Sequence, residues 1–186
     1  MDGYIVFKIE YNKHHLNRIQ SAFKRVKETV KSERKKMPRL CALDFRDLLS
    51  RNIMTQKFAG SYAPYNPRYK LWKEQNSGYG AGGGFWILSG KIVSSLTVYN
   101  DKGDTRWFSG LPKKMPVDRP SWLKAGKTGK TVDINLVAHV NEFGGQYGSY
   151  YHPPRPVFIP TKNEYAKSGF LKRGKDSLKI IGRSWR

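Results

Sequence analysis

Between Leu16 and Val30 an apolar residue recurs at intervals of three and four: Leu16, Ile19, Phe23, Val26 and Val30. That spacing predicts an amphipathic helix over residues 13–36 with a single narrow apolar stripe. A stripe of this kind docks on a sheet or on another subunit, so it constrains the fold more than any other feature. Met37-Pro38 predicts the stop, because the residue before proline is pushed out of helical geometry. Arg18, Lys24, Arg25, Lys27, Lys31, Arg34 and Lys35 occupy the rest of the surface, interrupted only by Glu28 and Glu33. Pairing along the helix therefore leaves the face positive. It is a candidate contact for nucleic acid or an acidic partner, against the plainer reading of a solvated helix surface.

The positive charge extends to the whole chain. Lys and Arg total 35 against 14 acids, a net of +21. Such an excess costs stability by self-repulsion and invites a polyanion, most commonly nucleic acid. The length of 186 residues and a hydrophobic share of 38% suit one domain with a real core, residues 1–186, rather than a disordered chain. Cys41 is alone, between apolar neighbours, and is expected as a buried free thiol in a protein made in a reducing cytoplasm. No run approaches the ~18 apolar residues of a spanning helix, so no membrane is expected. The first residues lack the basic-then-apolar order of a signal peptide, and residues 4–11 predict a short strand.

Beyond the first helix, a second is expected from Leu43 to Met54 and a short one from Pro67 to Gln75. The glycine cluster at 78–84 predicts a loop, after which Ser89 is placed to cap a short helix. Strands are expected at 96–99 and 105–108, then an exposed loop over 110–130 anchored by Trp122 and Leu123. Residues 131–136 alternate as a strand, and 137–143 predict a short helix ended by Gly144-Gly145. A proline-stiffened strand follows near 153–160. The basic tail, 166–186, starts helically near Asn163 and ends as a strand or an arm. These elements make an α+β chain, with strands, a long N-terminal helix and shorter helices, and extended loops.

Catalytic chemistry finds no footing in these residues. A phosphate loop needs Gly, four residues, then Gly-Lys and Ser or Thr; Gly84 and Gly90 are separated by five residues, and Ile92 follows Lys91. His14, His15, His139 and His152 show no zinc-like spacing. Asp44 and Asp47 flank Arg46 and suit caps or surface pairs better than a metal-dependent nuclease. Ser89 is not in a nucleophile elbow. The expectation is therefore no enzyme, no metal and no cofactor.

Two stretches are rich in special residues without being catalytic. One runs Ala63-Pro64-Tyr65-Asn66-Pro67-Arg68-Tyr69-Lys70-Leu71-Trp72-Lys73 and continues from Trp86 to Leu96 through Leu88-Ser89-Gly90. The other runs from Ala138 to Gly145 through Glu142-Phe143-Gly144, then Pro153-Pro154-Arg155-Pro156-Val157-Phe158 to Thr161. In this order, over residues 58–165, they resemble the tailed-phage virion morphogenesis and tail-completion proteins of the head–tail joining, or neck, region. The resemblance implies a mostly antiparallel sheet packed with those helices, in a structural virion protein that forms a homo-oligomeric ring around double-stranded DNA, between portal or connector proteins and tail proteins. It makes Glu142, Phe143, Gly144, Pro154, Arg155, Pro156 and Phe158 candidate subunit-interface residues. A body of 186 residues is roughly 40 Å across. Six in a closed ring leave a lumen of roughly 40 Å, ample for duplex DNA, so a hexamer is favoured. The glycine loop, the 110–130 loop and the +21 charge depart from the family pattern. That charge leaves open an alternative: sequence-nonspecific DNA binding by the basic helix and tail.

Overall fold

The computed structural model describes residues 12–76, 84–85, 91–100, 106–112, 116–118, 131–147 and 150–185. The strand expected at 4–11, the glycine cluster apart from Gly84, Ser89-Gly90 and most of the 110–130 loop, with Trp122 and Leu123, lie outside these residues.

The first helix, α1, spans Lys13–Met54. Asn12 opens it, its side-chain oxygen accepting the backbone N–H groups of His14 (2.9 Å) and His15 (3.4 Å). The helix passes through Pro38 without ending, so the expected stop and the separate helix from Leu43 are corrected to one continuous element. A proline inside a helix costs about 3 kcal/mol. What offsets it is a second helix lying along α1 on both sides of the proline.

That second helix is built from the basic tail. Following α2 (Pro67–Asn76), α3 (Lys91–Ser94) and α4 (Ile134–Phe143), the chain forms α5 (Phe158–Glu164) and α6 (Phe170–Ser184). The two are joined by one wide turn over Tyr165–Gly169, where the Phe170 N–H donates to the Tyr165 carbonyl five residues back. A side chain at Gly169 would run into the Tyr165 ring, which explains a glycine at the centre of a helical run. The expected C-terminal strand or arm is therefore helical.

The tail runs antiparallel to α1. Asn52 donates to Thr161 Oγ1 (3.0 Å) and Glu164 Oε2 (3.1 Å), and Arg173 grips Asp44 through two hydrogen bonds of 2.7 and 2.5 Å. Ser177 donates to Glu33 (2.9 Å), and Phe23 meets Trp185 edge to face at 5.0 Å. Glu33 and Asp44 flank Pro38, so α6 splints α1 across the defect. Ordinary local rules predicted a break because the splint lies more than a hundred residues away.

The strands pair antiparallel throughout, as three two-stranded ladders among the described residues. In the first, β1 (Thr97–Asn100) and β2 (Trp107–Gly110) pair from Thr97↔Gly110 to Asn100↔Trp107, close to the expected strands. This hairpin lies against α1, with the Arg39 guanidinium 5.6 Å from the Trp107 ring centre. The others are β3 (Pro116–Asp118) with β4 (Thr131–Asp133), and β5 (Gly145–Tyr147) with β6 (Tyr150–His152). The expected strand 131–136 stops at Asp133, whose carboxylate accepts the Asn135 N–H at 2.7 Å and so caps α4 three residues earlier than its apolar pattern suggests.

The protein is α+β, and its core gathers Leu49 and Ile53 of α1, Ile92 and Leu96 around α3, Ile134 and Ala138 of α4, and Val157 ahead of α5. Cys41 is half-buried rather than enclosed. Among the described residues no helix is long and apolar enough to cross a membrane.

Candidate functional site

The segment from Pro153 to Val157, expected as a strand, joins no strand ladder and leads straight into α5. A helix start leaves several N–H groups without partners, and Val157, at the cap position, supplies no side-chain acceptor. Glu142 of α4 fills that role from elsewhere in the chain. Its carboxylate, 5% exposed, accepts the N–H of Val157 (2.8 Å), Phe158 (2.9 Å) and Ile159 (2.8 Å). The next residue, Pro160, has no N–H to satisfy, and Thr161 N bonds to Val157 O at 3.1 Å. One carboxylate and one proline complete the helix end. The negative charge also meets the positive end of the α5 dipole.

Arg155 has no exposed surface. Its guanidinium donates to Ala63 O (3.1 and 3.3 Å), to Pro64 O (3.2 Å) and to His152 Nε2 (2.8 Å). It also lies 4.5 Å from the Tyr65 ring centre and 5.2 Å from that of Phe85. A guanidinium only donates, so His152 must accept with a neutral ring. Burial, followed by the Arg155 charge, drives the His152 pKa down to about 4.

A second buried cation shares the site. Lys73 of α2 donates to Tyr65 Oη (3.0 Å) and to the Gly84 carbonyl, with its ammonium 4.6 Å from the Tyr65 ring centre. Burial lowers its pKa to about 7, and Arg155 adds to the effect. The two cations, Tyr65 and the backbone carbonyls tie α2, the 63–65 segment and the Pro-Arg-Pro segment into one node.

These positions correct part of the interface expectation. Glu142 and Arg155 are committed inside the chain and present no side chain to a neighbour. Phe158 and Pro156 are partly buried, and Phe158 packs on the core. Gly144 takes φ +74°, where a Cβ would sit 2.8 Å from His152 O and 3.0 Å from Pro154 Cδ. Of the seven candidates, Phe143 and Pro154 face outward, on either side of that close approach, and exposed Tyr151 lies nearby on β6. The seven basic residues of α1 singled out as candidate contacts are all exposed. Lys24, Lys27, Lys31 and Arg34, spaced three, four and three, share one row roughly 15 Å long. Arg18 and Arg25 fall on a separate line.

Sequence reasoning missed Lys73 and His152. A lysine in a polar helix carries no signal of burial, and here neighbouring Leu71 is exposed while Lys73 is enclosed. The aromatic richness of 62–72 was the available clue, since Tyr65 meets Tyr69 edge to face at 5.1 Å and Tyr69 stacks on Trp72 at 5.7 Å. Among the described residues no group of three or more His, Cys, Asp or Glu side chains is arranged to hold a metal. No protein-family model, curated protein or solved structure matches this chain. The likeness to neck proteins rests on the ordered landmarks alone.

Proposed function

We propose that this chain is a structural virion protein of a tailed bacteriophage, a neck, tail-completion or tail-terminator subunit without catalytic activity. It joins head to tail as a homo-oligomeric ring, a hexamer, around the double-stranded DNA channel. Its neighbours are portal or connector proteins and tail proteins, and it reaches the virion neck after synthesis in the bacterial cytoplasm. One observation carries this reading: residues of both landmark stretches meet in buried nodes, Arg155 on the carbonyls of Ala63 and Pro64 and Glu142 on the backbone from Val157 to Ile159, and the edge beside them carries Phe143, Tyr151 and Pro154. A node of this kind fixes the shape of an edge rather than a reaction centre, and a ring contact needs a surface that repeats identically in every copy.

The test is mass in solution and electron microscopy, alone and with a portal or tail component. Rings that are lost in F143D/Y151D are the expected result. Dispersed particles in the presence of the partner would count decisively against the proposal.

A second reading, sequence-nonspecific DNA binding, is favoured by the Lys24–Lys27–Lys31–Arg34 row. Each phosphate neutralised contributes about 0.9 to the slope of log affinity against log salt. K24E/K31E should therefore flatten that slope by about two. Negligible binding at low salt would remove this reading.

A further inference from the structure

The middle of α6 meets α1 through polar side chains, Arg173 and Ser177 bonding to Asp44 and Glu33. Leu171 and Leu178 point away from α1, and Trp185, just past the end of α6, touches Phe23 of α1 while leaving half its surface exposed. Leu171, Leu178 and Trp185 recur at seven-residue intervals and are 60%, 67% and 52% exposed, Leu178 more than any other large apolar side chain described. A seven-residue repeat drifts by only about 20° per heptad, so the three form a row along the helix roughly 21 Å long. Gly174 and Gly182 lie between them on the same side, and nothing stands within 4 Å of where a Cβ would be. The row is thus a line of three large side chains separated by two depressions. Another helix fits this relief, seating its own large residues over the glycines.

Charge decides which helix. Lys172, Lys175, Lys179 and Arg183 run beside the row at spacings of three, four and four; the sole acid in the helix, Asp176, lies 3.8 Å from Lys179. A second copy would bring the same cations against these, in a chain already at +21. The complementary occupant carries leucine-like residues in heptad register and carboxylates on its flank. We propose that the outer face of α6 is a docking site for an acidic amphipathic helix of a partner protein. This inference is independent of the neck reading and of the DNA reading, because it uses neither the Phe143 edge nor the α1 row.

The test is titration of the full chain with a synthetic peptide of about three heptads, leucine at the a and d positions and glutamate at e and g. Saturable binding is expected. L171S/L178S should weaken it at least about tenfold, the scale of losing buried apolar contacts. K175E/K179E should weaken it similarly and create binding to the matching lysine-flanked peptide. The second pair involves no apolar change, so a folding defect in the first, checked by circular dichroism, leaves the test intact. The idea fails if no saturation occurs up to ~1 mM peptide, or if neither pair alters affinity. It also fails if the face instead drives dimerisation that L178S abolishes. Partition onto phosphatidylglycerol vesicles that L178S abolishes, without peptide binding, would likewise overturn it in favour of a lipid surface.

Discussion

At the scale of single residues, the Glu142 carboxylate performs several tasks at once. It accepts three backbone N–H groups, faces a helix dipole and joins α4 to the start of α5. Hydrogen bonds to charged groups contribute about 1.5–3 kcal/mol each in net terms, and losses at one acceptor are not additive. E142Q should therefore lower unfolding free energy by about 2–4 kcal/mol, read as a reduced midpoint in urea. Lys73 makes a different demand. Its pKa falls from 10.5 to about 7 on folding, so between those values the unfolded chain holds the extra proton. Stability should rise with pH from 7 toward 10.5, with a slope of up to ~1.4 kcal/mol per pH unit from this group. Subtracting the profile of K73M should isolate that slope; a flat difference between the two would refute the assignment. Of this site, Glu142 and Arg155 were legible as special residues because glycine and proline surround them, but their direction was not. Sequence spacing identifies an unusual backbone path without saying whether the charges on it turn inward, and here Tyr65, Phe85 and the carbonyls of 63–64 draw Arg155 in.

At the scale of elements, α1 shows how far local pattern reaches. Its stripe and basic faces were readable from residue spacing, as was the hairpin of β1 and β2. Its continuity through Pro38 was not, because the compensating bonds come from Arg173 and Ser177. The same applies to α6: a tail interrupted by Gly169, Gly174 and Gly182 has weak intrinsic helicity, and packing on α1 supplies what propensity does not. P38A should raise stability by up to about 3 kcal/mol, since it restores a backbone hydrogen bond and removes a clash in a helix that is already formed. Thermal unfolding checks this. A fall in melting temperature would mean that Pro38 has a packing role of its own.

At the scale of the whole molecule, α1 is the shared beam. Its C-terminal third enters the core through Leu49 and Ile53, its middle carries α6 and the hairpin, and residues 12–20 are exposed at every position. Opening free energy should follow that gradient. Amide exchange is expected to be slowest at 45–54 and fast before residue 22, with the 33–44 stretch slowed only while α6 is in place. R173A/S177A should speed exchange in 33–44 while leaving 45–54 protected. Uniform protection along α1 would contradict this picture. The mixture of helices and strands followed from the alternation of patterns along the chain, whereas the antiparallel pairing was expected only from the family resemblance. The helical pairing of the first and last elements did not, because it is written in single polar contacts rather than in periodicity.

The splint also sets a timetable. Glu33 and its Ser177 partner are 144 residues apart in sequence. At ordinary translation speeds a ribosome needs on the order of ten seconds or more to cover that distance. Throughout that interval a nascent chain carries a proline-weakened rod whose Glu33 and Asp44 lack the partners that hold it straight. The rod is finished only when the chain's own far end arrives.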